Sequence, residues 1–126
     1  MTNEITDYIA NIVSENILTP IIYLLEDNNV ISLICFCDRN ITMQEIYRVE
    51  NMVEEKTGKT AEIIDIREFG EFDRLDIISH AKLIHAVNPM IEQVFMQSMT
   101  EDFKIAMEEK KSVIERYNIS GTCFLQ

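Results

Sequence analysis

The sequence is poor in the residues that punctuate or cross-link a chain: three glycines, two prolines, three cysteines and no tryptophan among 126 residues. No Gly/Pro/Ser-rich linker, low-complexity tract or internal repeat can be drawn from so few breakers. With 47% hydrophobic residues the chain can build one core but hardly two, so residues 1–126 are expected to form a single domain. Three cysteines do not make a disulfide framework. Cys35 and Cys37, two apart in an apolar run, are poorly placed to bridge, and one thiol is left over, so reduced thiols and a cytoplasmic setting are expected. No apolar run approaches the roughly 20 residues of a membrane span, and Met1-Thr2-Asn3-Glu4 lacks the basic start of a signal peptide. Positive charge is also scarce. Eleven Lys and Arg face 22 Asp and Glu, a net charge of −11 that argues against nucleic acid and anionic membranes as partners. The longest basic cluster, Lys110-Lys111, lies between Glu108-Glu109 and Glu115 and reads as a solvated helix face.

What the chain does have is patterned hydrophobicity. Ile5, Tyr8, Ile9, Ile12 and Val13 recur at helical spacing behind Thr2, a candidate cap. Two apolar runs follow, predicted as strands over about 20–26 and 30–37, with Pro20 at the first strand position. Only Glu26-Asp27-Asn28-Asn29 separates them, the mark of a hairpin with a minimal turn. Thr42-Met43-Gln44-Glu45 is a capping box for a helix carrying Ile46, Val49 and Val53, and Gly58 suits its left-handed end. Thr60 to Ile66 reads as a strand with Ala61, Ile63 and Asp65 on one face, and Phe72 to Ile78 as a short helix. Lys82 to Val87 reads as a last strand. Asn88-Pro89 then starts a long helix reaching about Tyr117, with Thr100 available to cap a second segment.

This order predicts an α/β (α+β) domain of two layers: a small mixed sheet, helices packed mainly on one face, and a long C-terminal helix. A doubly wound fold is disfavoured because the first two strands are joined by a turn too short for a parallel crossover. The cysteine pair lacks a second pair or a nearby His at ligand spacing and reads as core thiols. His80 and His85 do not share the face that an H-E-x-x-H site needs. The methionines Met96, Met99 and Met107 read as core filler or an adaptable surface.

The element order, with Thr60-Ala61-Glu62-Ile63-Ile64-Asp65-Ile66, the stretch from Phe72 to Ser79, Ala81-Lys82-Leu83-Ile84-His85 and Asn88-Pro89, resembles the minimal nucleotidyltransferases of the polymerase-beta superfamily over residues 5–117. In that family the first hairpin carries Gly-Ser and then Asp-x-Asp, and a third carboxylate sits on the strand after the next helix. The acids hold two Mg²⁺ ions that clamp the nucleotide phosphates. Laid on this chain, Gly-Ser falls on Glu26-Asp27, Asp-x-Asp falls on Val30 and Ser32, and the third acid is Glu62 with Asp65 three residues on. Glu26 and Asp27 would repel a triphosphate rather than cradle it, and one acid does not hold two divalent ions.

The resemblance therefore implies a nucleotidyltransferase-like protein without catalysis, with no catalytic, cofactor-binding or metal residues and Glu62 as a remnant. Such a protein would act through a protein partner or as a homo-oligomer, and relatives in toxin–antitoxin modules are paired with a small helical protein. The alternative is an active enzyme using Mg²⁺ and ATP, with Glu26, Asp27, Asp38 and Asp65 joining Glu62 in a divergent site. A self-associating domain without a ligand is a third reading.

Overall fold

The computed structural model describes residues 3–36 and 42–120. The chain runs α1 (Asn3–Asn16), β1 (Ile21–Asp27), β2 (Val30–Cys35), α2 (Met43–Thr57), β3 (Thr60–Asp65), a 3-10 turn (Ile66–Glu68), α3 (Glu71–Ser79), β4 (Lys82–Ala86) and α4 (Ile91–Ser120). The four strands form one sheet in the order β3-β2-β1-β4. β1 is antiparallel to both its neighbours, whereas β2 and β3 run parallel. The α2 helix supplies the long connection that a parallel pair requires, and the β1–β2 hairpin needs only Asn28 and Asn29. Asn28 takes φ +49°, the left-handed region that a primed two-residue turn demands of its first central residue and that Asn tolerates better than most side chains.

Alternation along the strands sorts the apolar residues into two clusters. Ile22, Leu24, Ile31, Leu33, Cys35 and Ala61 meet Ile9, Val13 and Ile17 of the α1 region and Val49 and Val53 of α2. Ile21, Tyr23 and Ile34 point the other way, toward Ile66, Ile78 of α3 and Met99 of α4, with Phe95 and Met96 packed against them. Both faces of the sheet are thus covered, and each fully buried Ile or Leu contributes roughly 1.5–3 kcal/mol of transfer free energy. The expected class, the small mixed sheet and the long C-terminal helix are all present; the second cluster makes the layering fuller than helices on one face alone.

Local signals act where the sequence places them. Thr42 accepts a hydrogen bond from the Glu45 amide at 3.2 Å, and Gly58, at φ +71°, ends α2 with its amide donating to the Glu54 carbonyl. Three details differ from expectation. The first strand starts at Ile21, one residue after Pro20, whose carbonyl accepts from the Val87 amide. Asn88 and Pro89 form a turn ahead of the helix rather than its first residues: the Met90 amide donates to Asn88 Oδ1 at 3.0 Å, and α4 begins at Ile91. At Thr100 the helix continues unbroken, because the hydroxyl donates back to the Met96 carbonyl at 2.8 Å instead of capping a new segment. Thr2, Cys37 and Asp38 lie outside the described residues. No helix among the described residues is long and apolar enough to cross a membrane.

Candidate functional site

The β1–β2–β3 register decides where each candidate acid lies. Leu25 is opposite Ser32, and Ser32 is beside Glu62; one row outward, Asp27 is opposite Val30, and Val30 is beside Thr60. Residues directly paired across strands share a face. Val30, Ser32 and Glu62, the three positions that the resemblance assigns to metal-binding carboxylates, therefore project from one face at the hairpin end of the sheet. The Ser32 hydroxyl donates to Glu62 Oε1 at 2.7 Å. Where two acids would share a cation, one hydroxyl satisfies one carboxylate.

The other acids are dispersed. Glu26 is opposite Ile31, on the reverse face, and forms an ion pair with Lys59. The hydrogen bond from Lys59 holds the Glu26 carboxyl below its ordinary range. Asp27 shares the Glu62 face but stands two strands away, roughly 10 Å at the usual strand spacing. Asp65 closes β3: its Oδ1 accepts from the Arg67 amide at 3.0 Å, and its carboxylate pairs with the Arg67 guanidinium at 2.6 Å. That pairing explains how Asp65, largely shielded from solvent, can follow Ala61 and Ile63 along one side of the strand with its charge satisfied. His80 is exposed at the end of α3 and His85 is half-buried in β4, so the two histidines serve separate elements.

Among the described residues no three His, Cys, Asp or Glu side chains lie close enough to share a metal ion. The residues at the expected centre do not fit a pair of magnesium ions: Val30 offers no ligand, Ser32 is engaged as a donor, and Glu62 stands as the single carboxylate. A triphosphate fares no better. The end of β1 offers Glu26 and Asp27 in place of a glycine-rich cradle, and the Asn28-Asn29 turn follows at once. The large hollows lie elsewhere. One of about 720 Å³ runs between β4 and α4 past Leu83, Glu92 and Met96, and one of about 710 Å³ lies under α4 beside Phe36, Arg67 and Arg74.

Two features escaped the sequence. The backbone amides of Ala61 and Ile63 donate to Glu54 and Glu50 of α2, each at 2.9 Å, so a helix carboxylate pair lines the outer edge of β3. The i, i+4 spacing of Glu50 and Glu54 was the available signal, but it also fits a solvated helix face. The second is the Tyr23 hydroxyl, buried with no hydrogen-bond partner among the described residues.

No family model matches this chain, and no curated protein matches it in sequence. Solved structures do match in shape. The chain is similar to a chain of the toxin–antitoxin MntA–HepT, with TM-score 0.73 and 12% identity over 91% of this chain and 97% of that one. A structure from Shewanella oneidensis aligns with TM-score 0.73 and 9% identity over 92% of this chain and 98% of the other. A chain from the tri-AMPylated Shewanella oneidensis HEPN toxin in complex with MNT antitoxin aligns with TM-score 0.71 and 11% identity, over 91% and 98% of the two chains. Likeness at these identities is likeness of fold, and together with the hairpin, crossover and register it gives the conclusion that this chain has the minimal nucleotidyltransferase fold.

Proposed function

We propose that this chain is a nucleotidyltransferase-fold protein that does not transfer nucleotides and works in the cytoplasm through protein contact, as one component of a toxin–antitoxin type pair. The observation that carries this reading is the Ser32–Glu62 hydrogen bond beside Val30, at the end of a hairpin closed by two residues. A hydroxyl-satisfied lone carboxylate gives a divalent ion one charged ligand, and a strand end bearing Glu26 and Asp27 before a two-residue turn gives phosphates no amide cradle. The fold neighbours drawn from toxin–antitoxin complexes support a protein partner. The acidic surface and the absence of clustered Lys and Arg favour protein over nucleic acid as the thing bound.

Isothermal titration of the full chain with ATP in the presence of Mg²⁺ tests the loss of catalysis. The expected result is no saturable heat and, on incubation with ATP and candidate partner proteins, no gain of an adenylyl group by mass spectrometry. Saturable binding that disappears on chelation of the metal would overturn the reading and favour an active enzyme with a divergent set of acids.

A further inference from the structure

The hollow of about 710 Å³ under α4 lies at the end of the sheet opposite the hairpin, where β1 begins and β2 and β3 finish. Ile21, Phe36, Ile66, Val94, Phe95 and Met99 supply its apolar walls, and Phe36 meets Phe95 edge-on at 5.5 Å. Its size is that of a small-molecule site, for which roughly 300–1,000 Å³ is usual. Polar side chains enter from two sides: Arg67 and Arg74 from the 3-10 turn and α3, and Ser98 and Asp102 from α4.

Arg74 is the unusual member. Its guanidinium is half-buried and held by neutral groups, Nε donating to the Phe69 carbonyl at 2.7 Å and Nη2 to the Arg67 carbonyl at 3.2 Å. Arg67, by contrast, is paired with Asp65. Among the described residues no carboxylate, that of Asp102 included, lies within ion-pair distance of Arg74. A guanidinium drawn partly out of water without a counter-charge is costly, and an anion that reaches it recovers the loss. The two carbonyls already fix its plane, so the Nη1 donors remain for a ligand with little ordering left to lose. A polyphosphate does not suit the place: Arg74 is the single uncompensated base, and Asp102 and the Asp65 behind Arg67 would repel further negative charge. The geometry points to a binding site for an apolar monoanion, a hydrophobic body carrying one carboxylate, with the body among Phe36, Phe95 and Val94 and the carboxylate on Arg74. Val30, Ser32 and Glu62 take no part in it, so the site goes beyond the reading of the hairpin end and stands apart from it.

Fluorescence titration of the full chain with anilinonaphthalene sulfonate, an aromatic monoanion, tests it. Phenylnaphthylamine, the same skeleton without the sulfonate, serves as the neutral counterpart, and decanoate as a competing carboxylate. The anion is expected to bind saturably without Mg²⁺ and to be displaced by decanoate. Arg74→Gln is expected to weaken it about tenfold. Asp102→Asn, which removes an exposed like charge, is expected to tighten it about twofold, and Val94→Glu, which places a charge in the wall, to abolish it. The neutral skeleton is expected to respond to Val94→Glu alone. Circular dichroism verifies the fold of each variant. Asp102 is exposed and makes no hydrogen bond or ion pair among the described residues, so its substitution keeps the sign of the charge effect readable even where Arg74→Gln disturbs α3. Absence of saturable anion binding, binding indifferent to Arg74→Gln and Asp102→Asn, equal effects on the neutral skeleton, or failure of decanoate to compete would each overturn the inference. Those outcomes leave the loss of catalysis standing, while ATP binding that requires Mg²⁺ would overturn that reading and leave this site untouched.

Discussion

The Tyr23 phenol lies in the second core cluster, stacked on Phe95 of α4 with ring centroids 6.1 Å apart, and its hydroxyl has no hydrogen-bond partner among the described residues. A buried hydroxyl without a partner forfeits its hydration and gains nothing in return. Burial also pushes its pKa up from 10.0 to about 12, and the nearby Glu92 carboxylate adds to the rise. The sign follows from linkage: the folded state holds the proton more tightly than the unfolded chain. Tyr23 therefore favours folding up to the free phenol value, and that preference is lost as pH climbs from about 10 toward about 12. Tyr23→Phe removes both the orphaned hydroxyl and the titration. Urea denaturation is expected to show the variant on the order of 1 kcal/mol more stable at neutral pH, with a shallower decline between pH 10 and 12. A variant less stable than the wild type would mean that the hydroxyl is satisfied in solution. The sequence shows Tyr23 as one more member of an apolar run. Whether its oxygen finds a partner depends on where α4 crosses the sheet, which no local pattern encodes.

Among the elements, β3 shows how an exposed sheet edge is made safe. Its amides alternate: Thr60 donates inward to the Asn29 carbonyl, while Ala61 and Ile63 donate outward to Glu54 and Glu50. Without α2 these outward amides would template pairing with another chain. Replacing both acids, Glu50→Ala with Glu54→Ala, is expected to destabilise the domain by about 2 kcal/mol and to raise light scattering at high concentration. Glu50→Gln with Glu54→Gln keeps an acceptor at each position and should recover most of the loss. Unchanged stability and scattering in the alanine pair would show that water replaces the carboxylates at no cost. The ends of the elements were legible because their signals are local: Thr42 with Glu45, Gly58 after its helix, and two asparagines between apolar runs. At Asn88-Pro89 the same logic placed the helix start two residues early, since an Asn side chain that accepts from the amide two residues on makes a turn as readily as a cap. The edge shielding was not legible, because it joins a helix face to a strand that the sequence cannot orient.

For the whole molecule, the fold and the site differ in how many residues encode them. The sheet and its two clusters rest on thirty apolar side chains spread along the chain, so alternation and helical spacing betray the architecture even without a sequence match. The site depends on a handful of positions, and the residues resembling the family frame pointed to them: Val30, Ser32 and Glu62 do share one face, with Ser32 bonded to Glu62. Their register beside Leu25 and Asp27 came only with the strand pairing. This separation makes a rebuilding experiment informative. Val30→Asp with Ser32→Asp places two new carboxylates on the face that carries Glu62, the one at position 32 directly beside Glu62 across β2 and β3. Like charges opposed across strands repel, so the variant is expected to be about 1–2 kcal/mol less stable than the wild type at neutral pH without divalent ions. Carboxylates clustered this closely hold more protons folded than unfolded, so the penalty should fade as pH drops through the carboxylate range. Millimolar Mg²⁺ or Mn²⁺ should raise the melting temperature of the variant and leave that of the wild type unchanged, because a cation that binds only the folded form stabilises it by mass action. ATP should add little to either, since Asn28-Asn29 still closes the hairpin where a phosphate loop would have to sit. A wild type stabilised by the cation as strongly as the variant would mean that Glu62 and its hydroxyl neighbour already suffice to hold metal, and that the acids absent from β2 were never the deciding loss.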